Sequence, residues 1–235
     1  MNKRDTESVG SAVHTPIPAP SPAAAPAWLE RFLAKAPSLP VPAALRPPPD
    51  ARPAAVLVLF GEGPDGPDIL LIQRAATLDK HAGQVAFPGG GIDAGDDGPV
   101  GAALREAAEE TGLDPGGVDA LAVLPELHLD RSGYRVTPVA AWWREPSAVS
   151  ANQPAEVAAV ARVPISELAD PDNRLRVRSP RGYLGPAFRV RGMFVWGFTA
   201  GLLDQFLDVG GWARPWDRRR VEDVPPDVLG LATGS

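Results

Sequence analysis

FPGGGIDAGDDGPVGAALREAAEETGL, residues 87–113, decides how the rest of this chain is read. It runs from a glycine-rich loop through acidic residues into a helix with three glutamates near its end. Asp97 or Gly98 can cap the helix and Pro99 suits its first turn. Ala102, Ala103, Leu104, Ala107 and Ala108 favour its interior, and Gly112 can close it in a left-handed conformation. Glu106, Glu109 and Glu110 stand at i, i+3 and i+4, so their carboxylates share one face. Like charges at the negative end of a helix dipole cost stability unless cations compensate. Mg²⁺ or Mn²⁺ suits such an oxygen-rich cluster and leaves room for water and phosphate oxygens. A solvated acidic face is the ordinary alternative, and Glu109 and Glu110 alone would favour it. Neither the glycine turn Gly89–Gly91 nor Arg105 directly before Glu106 is needed for a solvated face, and both favour a site.

Composition bounds the rest. A chain of 235 residues, 44% hydrophobic, can bury one substantial core, and one catalytic domain with a tail is the simpler fit. A net charge of −6 argues against a dedicated nucleic-acid binder. With no cysteine there is no disulfide, zinc–thiolate site or cysteine nucleophile. No apolar run reaches the roughly 20 residues that span a bilayer, and the N-terminus lacks a signal-peptide core, so no membrane partner is expected and cytoplasm is the default. A homodimer stays compatible with the sequence.

Residues 1–26, rich in Ala, Pro and Ser, read as a disordered arm. Residues 27–53 read as a short docked helix carrying Trp28, Leu29, Phe32 and Leu33, followed by a stiff Pro-rich connector. The folded domain then spans 54–210. AAVLVLF (54–60) and ILLIQR (69–74) form a hairpin around the turn-like 61–68, and 84–87 is a short strand entering the glycine loop. Further strands are predicted at 121–124, 134–141, 156–163 and 188–194, with a helical turn at 165–168 and an amphipathic helix at 196–209 closed by Gly210–Gly211. Residues 211–235, with the Arg218–Arg220 run, read as a solvated C-terminal tail. Strands mixed with a few helices make an α+β domain.

The 87–113 segment resembles the signature of the Nudix hydrolases, Gly-x5-Glu-x7-Arg-Glu-apolar-x-Glu-Glu-x-Gly-apolar. Its second half, Arg105 to Leu113, is intact. At the first Glu, counting from Gly91 places Asp97 and counting from Gly90 places Asp96. The resemblance implies an α/β/α sandwich with a mixed sheet and a catalytic loop-helix-loop. It further implies Mg²⁺ or Mn²⁺ on Glu106, Glu109 and Glu110, Arg105 orienting a neighbouring glutamate, and hydrolysis of a diphosphate. A backbone carbonyl of Gly89 or Gly90 joins the site, and the base is Glu109, Glu110 or, across the fold, Glu156.

Residues 70–75 (LLIQRA) and 80–90 (KHAGQVAFPGG) resemble the additional motif of the coenzyme A pyrophosphatases within that superfamily, as do 133–139 and 195–200. Ile72 and Asp79 depart from the motif's Thr and Arg. This narrower resemblance implies a nucleotide-type small molecule, coenzyme A or an acyl derivative, with Arg74, Lys80 and His81 as phosphate contacts. Other nucleoside diphosphate derivatives and a non-catalytic nucleotide-binding module are the alternatives. Trp142 and Trp143 offer a stacking surface, but adjacent strand positions face opposite ways, so only one of them can meet a ligand.

Overall fold

The computed structural model describes residues 25–78, 82–129, 133–180, 182–226 and 228. In chain order its elements are α1 (Glu30–Lys35), β1 (Arg52–Gly63), β2 (Gly66–Arg74), β3 (Val85–Ala86), β4 (Gly89–Gly91), α2 (Gly98–Thr111), β5 (Val118–Val123), β6 (Leu127–Leu129), β7 (Tyr134–Trp143) and β8 (Val157–Pro164), followed by α3 (Ile165–Ala169), β9 (Arg174–Arg178), β10 (Leu184–Val190), β11 (Met193–Val195), α4 (Gly197–Gly210) and β12 (Val221–Asp223).

β1 is the axis of a mixed sheet because its apolar run has a face to bury on each side. Ala55, Leu57 and Leu59 pack with Ala103, Leu104 and Ala107 of α2. Val58 and Phe60 pack oppositely, with Phe32 of α1 and Leu203 and Phe206 of α4. The result is an α/β/α sandwich of α+β class. Along one edge β1 pairs in parallel with β7 over 52–60. Along the other edge it forks: residues 60–63 pair with β2, whereas 54–56 pair with β4. That fork lays the glycines of β4 beside α2. β8 extends the sheet beyond β2, and β5 and β6 extend it beyond β7.

A second sheet, ordered β11-β10-β9-β12, has its own core in Leu175, Val177, Ala187, Phe194 and Val224. The strand expected at 188–194 is therefore a hairpin whose turn sits at Arg191 and Gly192, both left-handed at φ 49° and 75°. Two charged anchors hold the non-glycine residue in that conformation. Arg191 donates from its backbone N and Nε to Glu167 at 3.0 and 2.7 Å, and from Nη2 to Asp65 at 2.7 Å. A two-residue turn with one glycine leaves little mark in an apolar run, which is why the sequence reads as one strand there.

The boundary placed at residue 210 is also too early. Trp212 stacks on Phe32 at 6.0 Å, and β12 pairs in parallel with β9. Nor is the Arg218–Arg220 run simply solvated: Arg220 donates to the Asp172 carbonyl at 2.7 Å, and its own carbonyl accepts from Arg176 N. Among the described residues no helix is long and apolar enough to cross a membrane. The arm at residues 1–24 lies outside the described residues.

Candidate active site

The acidic helix ends as its sequence requires. Gly112 adopts φ 71° and returns its N–H to the Ala108 carbonyl at 2.9 Å. At the other end Asp97 is the cap residue, but its side chain makes no capping bond. Of the two aspartates at the first signature position, Asp96 is the one that meets Arg105. Its nearly buried carboxylate receives Arg105 bidentately, from Nε at 2.8 Å and Nη2 at 3.1 Å, and also accepts from Asp93 N. These bonds hold the Asp96 carboxyl below its ordinary range, through Arg105 first, and push the Arg105 guanidinium further above its own. Arg105 spends its remaining donors on the Gly91 carbonyl at 3.1 Å, Glu106 at 3.0 Å and Glu109 at 3.4 Å. One guanidinium thus ties the glycine strand to two glutamates of the helix.

The glycines are required by contact. A side chain at 90 would put its Cβ 2.4 Å from the Glu106 carboxylate, and one at 89 would sit 2.3 Å from the Ala55 carbonyl and 2.6 Å from Val56 Cα. Gly89 N donates to Glu110 Oε2 at 2.9 Å. Glu110, 2% exposed, has Arg74 Nη1 3.9 Å from its other oxygen. Burial pushes its pKa up to about 7 against the pull of Gly89 N and Arg74, and Glu106 and Glu156 push in the same upward direction. Glu106 is raised as well, by burial first. Glu156 is exposed just before β8, and its charge acts on Glu110 through space.

Residues 50–183 match the family model described as NUDIX domain. The Nudix hydrolase NudL of Cronobacter sakazakii (strain ATCC BAA-894), described as uncharacterized, is 40% identical over 193 residues, covering 79% of this chain and 96% of that protein. The NudL of Escherichia coli O7:K1, described in the same words, is 39% identical over 165 residues, covering 68% and 83%. This chain belongs to the Nudix hydrolase family. Among solved structures, the Nudix hydrolase RenU of M. smegmatis aligns with a TM-score of 0.49 at 23% identity, over 72% of this chain and 91% of that one.

As a Nudix hydrolase the chain acts on a diphosphate substrate, and the family's hydrolases generally use divalent metal ions. The donor set fits such an ion in its chemistry. Glu106, Glu109 and Glu110 are hard oxygen donors, and burial raises two of them, Glu106 and Glu110, against the pull of Arg105 and Arg74. Their positions are less converged than the helical spacing suggests. Glu109 leans to Arg105 and Glu110 to Gly89 N, and among the described residues no three acidic or histidine side chains close around one point. Arg74 adjoins the cluster, with its Nε buried and unpartnered among the described residues. Lys80 and His81, expected as phosphate contacts, lie outside the described residues, as does Asp79.

Both tryptophans make internal contacts, Trp143 buried and Trp142 partly so. Trp143, 1% exposed, lies beneath the Arg162 guanidinium at 4.8 Å, and Trp142 meets Trp28 edge-on at 5.9 Å. Sequence reasoning also passed over Asn152, whose amide donates to the Glu109 carbonyl. An Asn in a polar loop gives no signal by itself.

Proposed function

We propose that this Nudix hydrolase cleaves the diphosphate of coenzyme A or an acyl derivative, giving phosphopantetheine and adenosine 3′,5′-bisphosphate. One observation carries the reading. Arg74 and Gly89 lie at the two ends of the stretch that resembles the coenzyme A pyrophosphatase motif, and both act on the Glu110 carboxylate, at 3.9 and 2.9 Å. The substrate-type motif and the acidic cluster therefore share one site.

Glu106, Glu109 and Glu110, with a carbonyl of Gly89 or Gly90, would hold Mg²⁺ or Mn²⁺. A divalent cation there supplies charge neutralisation of the diphosphate and a more acidic water. Arg105, locked by Asp96, fixes the rotamers of Glu106 and Glu109 and so presets the face on which the phosphates lie. Arg74 offers its part-exposed guanidinium to a phosphate oxygen, and Lys80 and His81 extend that contact. Water oxygen bonds to one phosphorus as the bridging P–O bond breaks, and the water's proton passes to a carboxylate of the cluster. Glu109, Glu110 and Glu156 are the candidates.

Asp79 favours a second reading, hydrolysis of another nucleoside diphosphate derivative, because an anion stands where the coenzyme A motif carries an Arg. A panel of coenzyme A, dephospho-coenzyme A, a dinucleotide, a sugar nucleotide and a nucleoside triphosphate, each with Mg²⁺ and with Mn²⁺, separates the two. Coenzyme A should give the highest kcat/KM, with both products identified by mass spectrometry. A clear preference for a nucleotide without the pantetheine arm would replace the first reading with the second.

A further inference from the structure

A helix leaves its last carbonyls without intrahelical donors, and here those carbonyls belong to the residues that carry the acidic face. Gly112 N takes the Ala108 carbonyl, and the next three are all satisfied by one short segment of the loop before β8. Asn152 Nδ2 donates to the Glu109 carbonyl at 3.1 Å. Asn152 N donates to the Glu110 carbonyl at 3.0 Å, and Ser150 N to the Thr111 carbonyl at 2.9 Å. Four residues later the same segment reaches the far wall of the site. The Glu156 carbonyl accepts from Ala75 N at 2.7 Å, next to Arg74, whose guanidinium returns to Glu110. Residues 150–156 thus close a ring from the end of α2 to the end of β2 and back through the Glu110 carboxylate.

We infer that Asn152 is a positioning residue for the acidic cluster, holding the last turn of α2 so that Glu110 faces Arg74 and Glu109 meets Arg105. It acts in two ways. Its two donors fix the rotation of the peptide units that bear Glu109 and Glu110. They also offset the partial negative charge of the helix C-terminus at the point where three glutamates already repel one another. The inference rests on the proposed metal-dependent site and adds a residue that touches neither substrate nor ion.

The test compares Asn152→Ala with Ser147→Ala in the full chain. Ser147 belongs to the same loop but receives Asp114 N instead of serving the α2 carbonyls, so it controls for general loosening. Kinetics use the best substrate of the panel, and Mn²⁺ affinity is measured separately by the free-ion electron paramagnetic resonance signal. Asn152→Ala should lower kcat about 10-fold with KM within about 2-fold, and weaken Mn²⁺ binding by a similar factor, while Ser147→Ala stays within about 2-fold on every measure. Asn152→Ser should recover part of the kcat, since a hydroxyl restores a donor near the Glu109 carbonyl. Wild-type kcat and Mn²⁺ affinity in folded Asn152→Ala, or equal losses in the two alanine variants, overturn the inference. If the wild-type chain neither binds Mn²⁺ nor hydrolyses any diphosphate, the proposed function falls first and takes the inference with it.

Discussion

Glu110 is caught between burial, which opposes its charge, and the Gly89 N–H and Arg74, which favour it, and burial wins in the metal-free chain. Its folded pKa of about 7 stands above the ordinary 4.5, so between those values the native state holds a proton that the unfolded state has released. Stability from this group is full below pH 4.5 and is lost as pH rises through 7. The loss is on the order of 3 kcal/mol. The metal-free protein's melting temperature should therefore fall between pH 5 and pH 8, and Glu110→Gln should flatten that slope. An equally steep slope in the variant would contradict this account of Glu110. Asp96 shows what was legible at this scale and what was not. Counting from Gly91 places Asp97 at the usual spacing and counting from Gly90 places Asp96 with one extra residue before Arg105, and a glycine-rich loop does not reveal where such a residue is absorbed. Only the folded loop shows which carboxylate reaches Arg105.

β4 and α2 form one unit, and its two inner glycines fail differently when replaced. At Gly90 the obstacle is the Glu106 carboxylate, a side-chain end that can move, whereas at Gly89 it is the backbone of Ala55 and Val56 together with a φ of 153°. Gly90→Ala should keep its melting temperature within a few degrees while losing most activity, because it displaces a proposed ligand. Gly89→Ala should lose about 2–4 kcal/mol of stability. Urea melts of the two variants beside activity of the folded fraction check this, and the reverse ordering would refute the geometry. The acidic helix was readable from caps and periodicity, and β1 and β2 from continuous apolar runs. The β10–β11 hairpin was not, since Arg191 takes its left-handed turn only with Glu167 and Asp65 in place, and both are remote in sequence. Asn152 escaped for the same reason: its side-chain partner is 43 residues away.

At the scale of the whole molecule, the N-terminal helix is part of the core. Phe32 is fully buried, edge-on to Phe60 at 4.9 Å and to Phe206 at 5.2 Å, so it joins α1, β1 and α4 on the face opposite the acidic helix α2. Phe32→Ala should cost about 3–5 kcal/mol in denaturant melts. The kcat of the folded protein should be unchanged, because the site lies on the other face of the sheet; a kcat loss in fully folded Phe32→Ala would show coupling that this architecture does not contain. That face also carries Glu106, a proposed metal ligand, set against Gly90 and bonded by Arg105. Incubating coenzyme A with wild-type protein and with Glu106→Gln, at saturating Mg²⁺ or Mn²⁺, and identifying products by mass spectrometry tests the account most directly. The account predicts phosphopantetheine and adenosine 3′,5′-bisphosphate from the wild type, and at least a 100-fold lower rate, on the order of 3 kcal/mol in transition-state stabilisation, from a folded Glu106→Gln. Near wild-type turnover by Glu106→Gln would contradict the site, and intact coenzyme A after incubation with the wild type would contradict the substrate.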